Sequence, residues 1–187
     1  KLLEFRYEVY IEELNYLKPK AEFNLLKMEF DEYDQYAKHI ILKDKSKIVA
    51  CARIVLDSEL GLPVLNKISH NCMLENQKKV EVSRLIVKKE YRKSHIFISL
   101  IRSVFKCLLS MDCTYVIADT FKNTKSYRIL RSLGFQKLNF EYNDTSFNLN
   151  VASVVLYFEM SEMVESLINC PSKGQMAFLR NIGYKIG

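Results

Sequence analysis

Glycine and proline are scarce in this chain of 187 residues, which contains 5 Gly and 3 Pro. These numbers are too low for the turns of a sandwich or propeller made of many short strands, so helices must supply much of the structure. No repeat period is present, and no apolar run approaches the roughly 18 residues that cross a bilayer. Because 49% of the residues are hydrophobic, the chain can still bury a substantial core.

The cysteines also lack the arrangements that indicate a disulfide framework or a zinc site. Their number is odd, no C-x-x-C pair occurs, and no histidine lies at ligand spacing. The five are Cys51, Cys72, Cys107, Cys113 and Cys170. We therefore expect free, mostly buried thiols in a reducing cytoplasm, no bound metal and, from the N-terminal residues Lys1–Arg6, no secretory signal.

A formal net charge of +6 and a pI near 9.0 favour an acidic partner, such as nucleic acid, a membrane surface or an acidic protein. The basic residues are interspersed with acidic ones, and no helix-turn-helix, zinc finger or aromatic RNA-binding pattern is present. A nucleic-acid-binding module is therefore the weaker alternative, and we expect no nucleic acid partner.

Hydrophobic periodicity predicts one α/β domain on a mixed sheet, extending over residues 1–187. The predicted helices are Leu2–Leu14, His95–Met111 and Lys122–Leu133, with a helical tail after Ser161. The predicted strands are His39–Lys43, Ile48–Leu56, Lys79–Lys88, Thr114–Ala118, Phe135–Tyr142 and Val151–Phe158. Residues 23–36, which are acidic and aromatic, fit either a loop or a short helix.

Two stretches carry a family resemblance. Val82–Arg92 is a strand that leads into a basic turn, and Lys122–Phe135 is a helix that ends in Leu-Gly-Phe before a strand. Both resemble motifs of the GNAT acyltransferase superfamily. The resemblance implies a mostly antiparallel central sheet flanked by helices, with one strand splayed from its neighbour to admit the acyl donor.

A more specific resemblance covers about residues 1–160. The order and spacing of Arg6, the segment Glu29–Asp34, Arg53 and the segment Glu81–Arg84 are similar to the charged framework of two groups of enzymes. These are the acyl-homoserine-lactone (autoinducer) synthases and the N-acyl amino acid synthases, which move a fatty acyl chain from acyl carrier protein to an amine. Arg53–Leu56 followed by Gly61-Leu62-Pro63 is more similar to the second group.

The resemblance implies an acyltransferase that acylates an amino acid, with a lactone synthase using S-adenosylmethionine as the alternative. It also implies a set of residues that bind the amine substrate or build its pocket. These are Arg6, Tyr10, Tyr16, Asp31, Asp34, Arg53 and Ser83. Because an arginine in the apolar strand Ile48–Leu56 is costly unless it is paired, we predict that Arg53 contacts Asp31 or Asp34.

The proposed catalytic residues are Glu81 and Arg84. Amide formation needs a group that accepts the amine proton, and Glu81 is the candidate base, acting directly or through a water molecule. Arg84 is expected to hold a substrate carboxylate or to orient an acidic side chain. Strict strand alternation places the two on opposite faces, but a bulge near Ser83, which the resemblance implies, would bring them to one face and into one cavity.

The turn after this strand, residues 92–97, contains no glycine, which argues against tight binding of the coenzyme A pyrophosphate. We therefore expect acyl carrier protein as donor, possibly acyl-CoA, and no tightly bound cofactor. Residues predicted to meet the acidic carrier and its pantetheine arm are Lys88, Lys89, Arg92, Lys93, Arg102 and Lys106. An acetyl-CoA-dependent acetyltransferase and a catalytically silent carrier-binding scaffold remain alternatives, and the acyl length and the acceptor stay open.

Overall fold

The computed structural model describes residues 1–68, 74, 76–169 and 171–176. Cys72 and Cys170 lie outside these residues. The described part contains one six-stranded sheet in the order β1-β2-β3-β4-β6-β5. Its strands are β1 (Ala37–Asp44), β2 (Lys47–Leu56), β3 (Lys79–Val87), β4 (Tyr115–Phe121), β5 (Gln136–Tyr142) and β6 (Ser153–Glu159).

Helices flank this sheet on both faces. They are α1 (Leu2–Tyr7), which continues as a π-helical stretch over Glu8–Glu13, then α2 (Ala21–Leu26), α3 (Ile96–Leu109), α4 (Lys125–Ser132) and α5 (Met160–Asn169). Short 3₁₀ helices cover Glu32–Tyr36, Leu65–Lys67 and Lys89–Tyr91. The segment 23–36, for which the sequence left loop and short helix open, therefore contains the end of α2 and a 3₁₀ turn.

Adjacent strands of the sheet are antiparallel except for β3 and β4, which are parallel. The two parallel strands pair only from Lys79 to Glu81 on β3 and from Tyr115 to Ile117 on β4, and they then separate. This is the mixed sheet that the periodicity predicted, with the mostly antiparallel order and the splayed strand that the family resemblance implied. Backbone groups at the divergent ends have no partner on the facing strand.

A bulge in β3 lies near Ser83, where the family resemblance implied it. Arg53 of β2 pairs with Ser83, whereas Cys51 pairs with Ile86, so β3 contains one extra residue at this point. Arg84 has φ +52°, a left-handed conformation that is unusual for a residue with a side chain. The extra residue brings Ser83 and Arg84 to one face of the sheet.

Buried apolar side chains cover both faces. On one face, α3 and α5 pack on β2, β4 and β6 through Leu100, Val104, Ala52, Val116 and Phe158. The opposite face carries the α1 cluster, which includes Phe5 and Val9, and a second cluster around Val55 and Ile117. The second face also holds the buried charged residues, because Arg53 lies on the same face of β2 as Cys51 and Val55, two residues to either side.

Two element boundaries lie three residues from the positions that the sequence predicted. The strand predicted to end at Ala118 continues to Phe121, because Asp119 points to the polar face of the sheet, where the Tyr142 hydroxyl donates to its carboxylate. The helix predicted from Lys122 begins at Lys125, because Asn123 has φ +63° and the Thr124 side chain caps the first turn.

The helical tail predicted after Ser161 is present as α5, and a short helical turn follows at residues 173–176. Ser172 donates to the Ser132 carbonyl, and buried Gln175 contacts Leu133 and Met163. This segment therefore packs against the C-terminal end of α4. Residues 177–187 lie outside the described part of the chain.

Candidate active site

Glu29 is the centre of a buried charge network between α1 and the bulge of β3. Its side chain is 1% exposed and accepts from Arg6 Nε at 2.6 Å. Arg84 donates to the same carboxylate from Nε at 3.2 Å and from Nη2 at 2.8 Å. Because two guanidinium groups share this carboxylate, the carboxylate fixes α1 and the left-handed Arg84 relative to each other.

The two aspartates predicted to share a face belong to the same network. Arg53 Nη1 is 2.5 Å from Asp31 Oδ1 and 2.9 Å from Asp34 Oδ1, which confirms the predicted pairing of Arg53. Asp31 caps the 3₁₀ turn by accepting from the Tyr33 amide, while Asp34 accepts from the Asp31 amide. This reciprocal cap orients both carboxylates toward the sheet.

The remaining contacts join these pairs into one unit. Arg6 Nη1 lies 2.6 Å from Asp34 Oδ1, and Arg84 Nη2 lies 3.0 Å from Asp31 Oδ2. Ser83 accepts from Arg53 Nε at 3.1 Å. The three arginines and three carboxylates balance in charge, so the network buries no net charge, although Arg6 Nη2 and Arg53 Nη2 have no hydrogen-bond partner among the described residues.

Burial and the neighbouring arginines have opposite effects on the pKa values of the acids in this network. Burial alone would raise the pKa of Glu29, but the guanidinium groups of Arg84 and Arg6 outweigh it and lower the pKa to about 2. Burial likewise opposes ionisation of Asp34, and hydrogen bonding and charge from Arg6 lower its pKa to about 2. Both groups are therefore ionised near neutral pH.

Glu81 lies on the same face in a different environment. It is 2% exposed, and its carboxylate accepts from the Val64 amide at 2.8 Å. Burial, reinforced by the negative charge of Asp119, raises the pKa of Glu81 to about 8. A buried acid with a pKa near neutrality is suited to accept a proton.

A cavity of about 450 Å³ opens between the divergent ends of β3 and β4 and passes through the sheet. Its inner part is apolar. The walls there are Ile101, Val104, Phe105 and Leu108 of α3 together with Leu130, Leu133, Phe135 and Phe158. Phe158 packs edge-to-face on Phe135 and parallel to Phe105, which closes one side of this chamber.

The other end of the cavity is polar and aromatic. Tyr10, Tyr16, Ser83, Arg84, Asp119 and Phe147 line it. Arg84 lies over the Tyr10 ring, 5.7 Å from its centroid, and the Phe121 ring lies edge-to-face with both Tyr16 and Phe147. This end is called the mouth below, and the apolar part is called the chamber.

One part of the expected geometry is wrong. Glu81 and Arg84 do share a face, because Glu81 and Ser83 pair with Val55 and Arg53 in regular alternation and the extra residue at the bulge brings Arg84 to the same side. Arg84 lines the cavity, but Glu81 is not among its lining residues. The buried Glu81 carboxylate accepts from the Val64 amide, away from the cavity wall. Asp119 of the facing strand lines the mouth instead.

The residues predicted to meet a carrier protein fall into two groups. Lys88 pairs with Glu8 at 2.8 Å, and Arg92 pairs with Glu13 while also donating to the Val87 carbonyl. Neither cation is unpaired, because the π-helical stretch after α1 brings Glu8 and Glu13 to the turn. Lys89, Lys93, Arg102 and Lys106 are exposed and form no ion pair with the residues that the structure describes.

Sequence reasoning named neither Glu29 as a site residue nor Asp119 and Tyr142. Glu29 lay inside the acidic segment already singled out. A count of charges could have identified it, because the predicted network held three arginines and only two aspartates. Asp119 appeared to end a strand. No local pattern connects it to Tyr142, whose hydroxyl donates to Asp119 Oδ2 at 2.6 Å across a separation of 23 residues.

The acetyltransferase (GNAT) domain family matches residues 5–102, more than half of the chain. The chain belongs to the GNAT family. Membership places this GNAT chain among acyltransferases. The match covers the charge network, β3 with its bulge and the first half of α3.

Solved structures with the same fold include three informative neighbours of this GNAT chain. FeeM, an N-acyl amino acid synthase from uncultured soil microbes, has TM-score 0.65 and 15% identity, covering 88% of this chain and 86% of its own. BjaI, a CoA-dependent acyl-homoserine lactone synthase, has TM-score 0.64 and 14% identity, covering 99% and 82%. NAA60 from Arabidopsis thaliana, in complex with acetyl-CoA, has TM-score 0.55 and 15% identity, covering 86% and 94%.

Among curated protein sequences, no significant match was found. In the described part of this GNAT chain, no helix is long and apolar enough to cross a membrane. The same residues hold no group of three or more His, Cys, Asp or Glu side chains that could bind a metal ion.

Proposed function

We propose that this chain transfers a fatty acyl group from acyl carrier protein to the amine of an amino acid. The observation that carries the proposal is the cavity of about 450 Å³ between the splayed strands, whose inner part is the apolar chamber. Its size falls within the roughly 300–1,000 Å³ of small-molecule pockets, and its walls are aliphatic and aromatic. An acetyl group would leave most of such a chamber unfilled, whereas a fatty chain would bury its methylenes there.

The mouth provides the proposed place for the reacting groups. With the acyl chain in the chamber, the thioester would lie where β3 and β4 diverge, beside Ser83 and Arg84. Backbone N–H groups freed by the bulge could stabilise negative charge on the thioester oxygen. Glu81 is the proposed proton acceptor. Since Arg84 is already held by Glu29 and Asp31, its proposed role is to shape the mouth and attract a substrate carboxylate.

The remaining network residues are proposed to build the amine pocket. Arg6, Asp31, Asp34 and Arg53 fix the floor beneath the mouth through the contacts given above. Tyr10 and Tyr16 would provide its aromatic walls, since both line the cavity. No tightly bound cofactor is required, because the thioester already supplies the driving force for amide formation.

The test is to incubate the protein with acylated carrier protein of several chain lengths, the matching acyl-CoA thioesters and a panel of amino acids. Products are then read by mass spectrometry. Fatty N-acyl amino acids formed from the carrier are the expected result. Product formed only from acetyl-CoA would overturn the proposal, as would an acyl-homoserine lactone formed from S-adenosylmethionine with no acylated amino acid.

A substitution in the chamber should shorten the accepted chain. Val104 is buried on α3 and lines the chamber, so Val104→Phe would occupy space that the far end of a long acyl chain needs. We expect kcat/KM for long-chain donors to fall by about 10–200-fold, which is the usual discrimination per misfitting methylene, while short donors keep their activity. Steady-state kinetics with a series of donor lengths measures this.

The matched control is Leu109→Phe on the same helix, since Leu109 is 62% exposed and does not line the cavity. It should leave the length preference unchanged. An equal loss for short and long donors in Val104→Phe would indicate general damage to the fold and would argue against the chamber as the chain site.

The proposed carrier-binding surface can be tested by the removal of two exposed cations. Lys93→Ala with Arg102→Ala should raise the apparent KM for the acidic carrier severalfold, with kcat almost unchanged. The defect should shrink as salt rises, since screening already weakens the wild-type attraction. The control pair, Lys38→Ala with Lys78→Ala, removes the same charge at the other end of the sheet and should have little effect.

The proposed location is the cytoplasm, where acyl carrier protein and free thiols are found together. The described cysteines Cys51, Cys107 and Cys113 are all free, and burial strongly opposes ionisation of Cys51 by raising its pKa to about 12. We also expect residues 1–187 to act as one domain.

A further inference from the structure

A second carboxylate, Asp119, lines the mouth and lies close to Glu81. On the parallel strands, Glu81 is opposite Ile117, and Asp119 lies two residues further along β4 on the same face. The strands separate beyond Glu81 and Ile117, yet Asp119 is still near enough for its negative charge to raise the pKa of Glu81, so the two carboxylates interact across the gap. Asp119 lines the cavity, whereas Glu81 does not.

The hydrogen bonds of the two acids differ in a way that fits different roles. Glu81 accepts from the Val64 amide and is buried beneath it. Asp119 accepts from the Tyr142 hydroxyl on Oδ2, and no other donor within the described residues bonds to its carboxylate. Tyr142 therefore holds Asp119 in place while one carboxylate oxygen stays available toward the mouth.

We propose that Asp119 contacts the attacking amine and carries its proton to Glu81. The inference rests on the proposed amide-forming transfer. The neutral amine nitrogen forms a bond to the thioester carbonyl carbon, and its proton moves to Asp119 and on to Glu81. The C–S bond then breaks, the sulfur leaves with the electron pair as thiolate, and the carboxylate pair returns the proton to it. The products are an amide and a free thiol, so atoms and charge balance.

Through Asp119, the buried Glu81 can accept a proton from an amine that it does not contact. Glu81 is surrounded by Asp119 from β4, Arg53 from β2, Arg84 further along β3 and Tyr142 from β5. Burial has the largest effect on its pKa, and the charge of Asp119 adds to it, while the two arginines act in the opposite direction. An ionised Glu81 is therefore a strong proton acceptor, and Asp119 gives it a route to the mouth.

The first test compares Asp119→Asn with Asp112→Asn, an exposed acid at the far end of the sheet that serves as control. In Asp119→Asn we expect kcat to fall by about 10²-fold or more, with the KM for the donor unchanged, because the route is broken while the shape is kept. Asp112→Asn should match the wild type. An active wild type with an equally active Asp119→Asn would overturn this inference alone, whereas a wild type that forms no amide would overturn the proposed function as well.

A second readout does not depend on turnover. The carboxyl stretch of Glu81 in infrared spectra, assigned by its loss in Glu81→Gln, should titrate near pH 8 in the wild type and at lower pH in Asp119→Asn. A lowered midpoint combined with full activity would show that Asp119 is only a neighbouring charge, which would overturn the relay. An unchanged midpoint would show that the two carboxylates do not interact, with the same consequence.

Tyr142→Phe keeps both carboxylates and removes only the hydroxyl that positions Asp119. The expected result is a kcat about three- to tenfold lower, the worth of one hydrogen bond, with KM for the amine and the Glu81 midpoint unchanged. A raised KM at full kcat would assign Tyr142 to substrate binding and would contradict a positioning role.

Discussion

Glu81→Gln should lower kcat by roughly 10²–10⁴-fold with little change in the KM for the acyl donor, the range found when a general base is removed. Glutamine keeps the shape and can still accept from the Val64 amide, so the loss would come from the missing base. The wild-type rate should rise with pH as Glu81 loses its proton, with a midpoint near its pKa of about 8, and this limb should be absent from the variant. Glu165→Gln on the exposed face of α5 is the control.

Glu81→Gln should also stabilise the fold, because the raised pKa of Glu81 makes the wild type less stable as pH rises. In the unfolded chain this acid ionises near pH 4.5, whereas in the native state burial holds the proton until about pH 8. Between these values the unfolded state binds fewer protons, so wild-type stability falls as pH rises. We expect the Tm of Glu81→Gln to exceed that of the wild type by an amount that grows from pH 5 to pH 8. A constant difference would argue that Glu81 is not held protonated.

Glu29→Gln should be the most destabilising single change in the charge network. It leaves Arg6 and Arg84 without the carboxylate they share, and removing one partner from a buried ion pair costs about 3–5 kcal/mol. For a chain of this length that corresponds to a Tm lower by about 6–20 °C. Thermal unfolding followed by circular dichroism measures it. Glu32→Gln, an exposed neighbour in the same segment, should change the Tm by a degree or two at most.

Acid titration provides an independent check on this network. Because the pKa values of Glu29 and Asp34 are lowered to about 2, their contribution to stability is complete above the pH at which these acids ionise in the unfolded chain. It should be lost as pH falls from about 4.5 toward 2. The wild type should therefore lose stability in this window more steeply than Glu29→Gln. Parallel curves for the two proteins would contradict the assignment of the buried pairs.

The sequence was most informative where a buried charge required an oppositely charged partner. Arg53 interrupts an apolar strand, and the cost of an unpaired charge there was enough to predict its partners Asp31 and Asp34. The bulge in β3 could not be derived from alternation, which placed Glu81 and Arg84 on opposite faces. It followed from the family resemblance, and the left-handed Arg84 has no local sequence signal such as glycine.

Contacts between distant segments were the hardest to predict. Asp119 resembled the end of a strand because its polar side chain follows a short apolar run, and its true setting depends on Tyr142 from β5. Likewise, the acids Glu8 and Glu13 of the first helical segment neutralise cations of the turn after β3, which no spacing along the chain indicates. Glu81 was placed on the correct face, but its depth behind the cavity wall is set by the backbone at Val64.

The central claim, that a fatty acyl chain enters the chamber between β3 and β4, can be tested most directly by photo-crosslinking. The carrier protein is loaded with a chain that ends in a diazirine and is bound through a non-hydrolysable amide, and crosslinked peptides are mapped by mass spectrometry. The account predicts labelling of α3 and of the segment 130–135, in particular Val104, Leu108 and Phe135, and loss of this labelling in Val104→Phe. Labelling confined to the opposite face, around Val55 and Leu62, would contradict it.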